Sequence, residues 1–134
     1  RGDGVEGFTI CSVRSEEHLQ EEQRWVAMQV TAWLNEEWTP LEVHEHAGAA
    51  AGRAYARLRR GGATEMADLV LGLSAELLHF DFHDTFTSAF EVSNKIVELV
   101  MMRAGCDVCC TSDSDRERMD RISLELQAGH PTQR

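Results

Sequence analysis

The chain has 134 residues, 43% hydrophobic and 27% charged, the size and balance of one soluble globular domain rather than a disordered segment. No apolar run approaches the ~20 residues that a membrane-spanning helix needs. The formal charge of −10, from 13 basic and 23 acidic residues, argues against a nucleic-acid or anionic-membrane binder, which needs a positive footprint.

A start at Arg1 rather than at methionine reads as a processed product, a trimmed chain or a fragment, and no signal or transit peptide is visible. Three of the four cysteines, Cys106, Cys109 and Cys110, crowd into one short segment, with Cys11 far away. A disulfide framework spreads its cysteines more evenly, so free thiols in a reducing compartment, the cytoplasm or an organelle interior, are expected.

Residues 1–14 carry Gly2, Gly4 and Gly7 and read as a flexible arm. Within it Phe8, Thr9, Ile10 and Cys11 are able to pack on the body or pair as a lone strand. Ser15 is placed as the N-cap of a first helix, with Glu16 and Glu17 meeting the positive end of its dipole. Leu19, Val26, Val30 and Trp33 then share one face, widened by Trp25 and Leu34.

The next boundary combines three signals: Thr39 as cap, Pro40 at the first helical position, and Glu42 reaching back in a capping box. Trp38 and Val43 form the matching hydrophobic staple. The helix is expected over about 40–60, stopped by Gly61 and Gly62. Its interior Gly48 and Gly52 each cost ~1 kcal/mol against alanine, which predicts a close approach by the first helix, with that helix's aromatics as fillers.

Thr64 is expected to cap a third helix whose core stripe is Met66, Leu69, Val70, Leu73, Leu77 and Phe80. A fourth is expected from Asp81 or Asp84 to Arg103, with Phe82, Phe86, Ala89, Val97, Val100 and Met101 inward, ended by Gly105. Ser114 and Glu117 make a capping box for a fifth, which points Met119, Ile122 and Leu126 inward; residues 129–134 form a short tail. Connections of about two to six residues favour antiparallel neighbours. The predicted fold is an all-α, up-and-down antiparallel bundle of about five helices over residues 15–128.

Five groups are candidates for function. His79 and His83 have the four-residue spacing of helical zinc ligands, with Asp84, His44 or His46 as a third, but the pair aligns only on one continuous helix. The competing reading makes Asp81 or Asp84 a helix cap. Glu76 and His79 carry the Glu-x-x-His spacing of di-iron bundles once, whereas that chemistry needs it twice. Cys106, Cys109 and Cys110 offer half a zinc site or a thiol switch. Arg53, Arg57, Arg59 and Arg60 load the end of the second helix, ready for an acidic partner or for the chain's own glutamates. Trp38, beside Pro40, is the tryptophan most expected at an interface.

No phosphate-binding glycine loop, serine nucleophile motif or kinase signature is present. The reading that accounts for most residues is a non-catalytic soluble interaction or assembly module with a protein partner and no cofactor. The alternatives are a zinc or iron protein built on His79, His83, Asp84 and His44, and a thiol-regulated protein using Cys106 and Cys109.

Overall fold

A computed structural model describes residues 8–106, 108 and 111–129. Five helices make an all-α bundle: α1 (Glu16–Glu37), α2 (Glu42–Arg60), α3 (Met66–Leu77), α4 (Ala89–Arg103) and α5 (Asp113–Ala128). Ser15 caps α1, its side chain accepting from the His18 N–H. The expected face of α1, Leu19, Trp25, Val26, Val30, Trp33 and Leu34, is buried.

Helix α1 is the centre of the bundle, and α2 packs along it in the opposite direction. His44, Tyr55 and Arg60 of α2 meet Asn35, Glu22 and Glu16 of α1 in turn. Gly48 and Gly52 permit this approach. A Cβ on Gly48 would lie 2.6 Å from the Ala27 carbonyl oxygen and against Thr31, and one on Gly52 would lie 2.7 Å from the Gln23 carbonyl. The close approach is therefore filled by Gln23, Ala27 and Thr31, not by the aromatics expected there. Successive positions four apart share one stripe, and small side chains on that stripe let the two backbones meet.

Four helix starts differ from expectation. Helix α2 begins at Glu42, with Leu41 at the cap position and no side-chain cap bond. Asn35 takes over the capping role from α1: its Oδ1 accepts from the Leu41 N–H at 3.3 Å. Glu65 rather than Thr64 caps α3, because the Thr64 backbone is engaged by the N-terminal arm. The Ile10 N–H donates to the Thr64 carbonyl and the Met66 N–H to the Phe8 carbonyl, so Thr9 and Glu65 form an isolated antiparallel bridge. Residues 8–11 are thus tied to the body, with Phe8 and Ile10 packed on the core. In α5 the capping box is Ser112 with Asp115, two residues before the expected pair.

Helix α4 starts after Ser88, whose side chain accepts from the Glu91 N–H; neither Asp81 nor Asp84 caps it. The α3–α4 connector therefore runs over 78–88, longer than the short turn expected. Phe86, expected inward, is exposed. Helices α2 and α4 end in the same way. Gly62 and Gly105 have φ of 99° and 93°, and the N–H groups of Ala63 and Cys106 reach back to the Leu58 and Met101 carbonyls. These are Schellman closures, which need the left-handed residue that glycine supplies.

Helices α4 and α5 both run antiparallel to α1. Lys95 and Arg103 of α4 meet Trp33 and Trp25. Arg118, Met119 and Ser123 of α5 meet Glu36, Gln29 and Trp25. Helix α5 consequently runs in the direction of α4 and uses α1 as its main packing surface. One end of the bundle thus gathers the end of α1 and of α3 and the starts of α2, α4 and α5.

Candidate functional site

At that end two connectors meet. Trp38 closes α1 and Phe86 lies in the α3–α4 connector; their rings stack with centroids 6.0 Å apart and planes 18° from parallel. Trp38 also sets its edge against buried Trp33 at 6.1 Å. The stack stays open to solvent: Trp38 is 39% exposed and Phe86 61%. Leu41, at the start of α2, and Phe90, in the first turn of α4, are exposed as well. The same connector walls a hollow of about 450 Å³ lined by Leu77, Leu78, Phe80, Asp81 and Phe82. Phe80 and Phe82 meet edge to face there at 4.8 Å.

The histidine candidates lie near this end but do not converge. His79 and His83 fall in the connector, because α3 ends at Leu77. The His83 N–H donates to Asp81 Oδ1 at 2.9 Å, an Asx turn, and His83 Nδ1 sits 3.1 Å from Asp84 Oδ1. His44 instead is fully buried inside α2. Among the described residues no group of three or more His, Cys, Asp or Glu side chains is placed to hold a metal ion.

His44 has an arrangement that the sequence did not suggest. Its Nδ1 is 2.8 Å from Asn35 Oδ1, the atom that also accepts from Leu41, so Nδ1 carries the hydrogen and donates. Nε2 is buried and has no hydrogen-bond partner among the described residues. Burial lowers the His44 pKa below its ordinary value.

Of the cysteine candidates, Cys106 is half-buried at the Schellman closure of α4, while Cys109 and Cys110 lie outside the described residues. Of the arginines, Arg57 pairs with Glu76 at 2.6 Å and Arg60 with Glu16 at 2.7 Å. Arg59 is buried and donates to the Ala63 and Cys11 carbonyls, which fastens the N-terminal arm. Arg53 is exposed beside Gln20, Gln23 and Arg24.

Two polar clusters were not foreseen. In one, Glu22 takes two hydrogen bonds from Arg103, at 2.5 and 3.1 Å, and one from the Tyr55 hydroxyl at 3.5 Å. The Arg103 guanidinium lies 3.8 Å over the Trp25 ring. Burial, and then the Glu22 charge, push the Tyr55 pKa up to about 12, so the phenol remains a donor. In the other, buried Arg118 bridges Asp115 at 2.9 Å and Glu36 at 3.0 Å, and Lys95 joins Asp115 at 3.2 Å. Burial works to raise the Asp115 and Glu36 pKa values, but their hydrogen bonds to Arg118 and neighbouring donors outweigh it and hold both below the usual carboxylate range. Spacing in the sequence signals the Asp115–Arg118 pair, three apart on a helix; nothing in it signals the tertiary partners.

Among the described residues no helix is long and apolar enough to cross a membrane. No curated protein and no solved structure matches the chain. A family model described as a domain of unknown function (DUF8822) matches residues 9–104, from the arm's bridge to the end of α4, and the chain belongs to that family.

Proposed function

We propose that the protein is a non-catalytic helical interaction module whose partner docks on the aromatic end of the bundle. The observation that carries this reading is the Trp38–Phe86 stack, formed by two separate connectors and left open to solvent. Apolar clusters rimmed by polar residues mark contact surfaces, and aromatic side chains are enriched at such contacts. The paired polar groups between helices support the same reading. Arg103 with Glu22 ties α4 to α1, and Arg118 with Glu36 ties α5 to α1, as groups that hold helices together do.

A photoreactive phenylalanine analogue at position 86 tests it in the cells that make the protein. The control carries the same analogue at position 71, where Leu71 is exposed in the middle of α3. A discrete crosslinked species at 86, absent at 71 and lost on Trp38→Ser, is the expected result. No discrete species at 86, or equal crosslinking at both positions, overturns the reading.

A further inference from the structure

The acidic charge of the chain is unevenly placed. Segments 36–52 and 61–94 hold four and six Asp or Glu residues and no Lys or Arg, so together they carry the whole formal charge of −10. The rest of the chain has 13 residues of each sign. Both segments contribute to the aromatic end. Glu37 adjoins Trp38, Glu42 adjoins Leu41, Asp84 precedes Phe86 by two residues and Glu91 follows Phe90; all four carboxylates are on exposed residues.

Cations of the neighbouring elements are committed elsewhere. Lys95 is tied to Glu98 and Asp115, Arg118 to Asp115 and Glu36, and Arg121 to Glu36. The first turns of α5 add Arg116, accompanied by Asp113, Glu117 and Asp120. His46 faces Glu42 at 3.7 Å and His83 faces Asp84 at 3.1 Å, so these two histidines sit against carboxylates.

We propose that the surface formed by Trp38, Leu41 and Phe86 takes a basic amphipathic protein segment, its apolar side chains on the aromatic stack and in the hollow beside Phe80 and Phe82, its Lys or Arg residues facing Glu37, Glu42, Asp84 and Glu91. The inference rests on the interface reading above and names the partner's chemistry. Complementary potentials steer association and reject wrong partners. A second copy of this chain would bring the same carboxylates to the surface and be repelled, and a nucleic acid or anionic bilayer would be repelled for the same reason.

Three synthetic peptides test it on the full chain: an amphipathic Lys/Leu/Trp peptide, the same peptide with Glu for Lys, and the same with Ser for the apolar residues. The readout is titration calorimetry, with the Trp38 indole signal followed by NMR. The Lys amphipathic peptide is expected to bind saturably and shift the Trp38 signal. Its affinity should fall about tenfold or more in Trp38→Ser/Phe86→Ser, and by a similar factor in Glu37→Gln/Asp84→Asn/Glu91→Gln, a variant that leaves the aromatic stack intact. The Glu and Ser peptides should bind at least tenfold more weakly. No saturable binding of the Lys peptide, equal binding of the Glu peptide, or binding that ignores both variants overturns the basic-partner inference. Crosslinking at position 86 that persists alongside such a result leaves the interface standing and removes only its charge preference; loss of both removes the interface itself.

Discussion

His44 shows how one residue's surroundings set its chemistry. The Nδ1 hydrogen is committed to Asn35 and Nε2 is buried with no acceptor among the described residues, so burial disfavours a proton added there. Its pKa in the folded chain lies below the unfolded value of about 6.5. The unfolded state therefore binds the proton more readily. The His44 contribution to stability is complete above about pH 6.5 and is lost as pH falls below it. Urea melts from pH 7 to pH 5 should show falling stability, with a flatter pH dependence in His44→Gln, whatever that variant's stability at pH 7. Equal slopes would assign the effect to other groups. Gly48 is a second residue whose environment reverses a rule. Alanine normally improves a helix interior over glycine by ~1 kcal/mol. Here the new Cβ would strike the Ala27 carbonyl and Thr31, so Gly48→Ala should lose ~1–3 kcal/mol in denaturant melts, and Gly48→Leu more. A gain in stability from alanine would mean that α1 and α2 stand further apart.

The α3–α4 connector is where element boundaries and the candidate site coincide. Asp81, Asp84 and Ser88 are all competent N-caps, and local sequence does not rank them. The Asx turn from Asp81 to His83 and the bonds of Thr85 to the Phe82 and Thr87 carbonyls fix a folded loop, and only after it does Ser88 open α4. That choice separates His79 from His83 and carries Phe86 out to Trp38. Ser88→Ala should cost ~1 kcal/mol by thermal or urea melts, while Asp84→Ala should cost a few tenths at most. The reverse order would place the start of α4 at Asp84, with Phe86 inside its first turn rather than in the connector.

At the scale of the whole molecule, α1 carries the bundle, and the α5 contact depends on a buried ion cluster. Arg118 is only 3% exposed and bridges Asp115 and Glu36. Removing it leaves buried Asp115 with Lys95 as its remaining cation, so Arg118→Leu should cost about 2–3 kcal/mol, against at most ~1 kcal/mol for Arg121→Leu, whose pair with Glu36 is half open to water. Similar losses in the two variants would show that the cluster is solvated. Asp115 and Glu36 have lowered pKa values in the fold, so their contribution is present above the unfolded carboxylate range near pH 4 and disappears as pH falls through the folded values.

Periodicity by itself determined the five helices, the buried face of α1 and the Met66, Leu69, Leu73 and Leu77 stripe, because three- and four-residue spacing of apolar side chains admits only a one-sided helix. Glycine also determined two helix ends, at Gly62 and Gly105, since the left-handed closure is a local property of the backbone. It was legible, too, that α2 needed a close neighbour at Gly48 and Gly52, and that Trp38 stood apart from the other tryptophans. Apart from Ser15 at α1, helix starts were not legible to the residue, because several capping residues lay within reach and tertiary partners chose among them: Asn35 for α2, the arm for α3, Lys95 for α5. The exposed stack of Trp38 on Phe86, the burial of His44 and the Arg118 cluster join residues distant in the sequence. Only the packing of separate helices brings them together, and a pattern read along one chain carries no record of that distance.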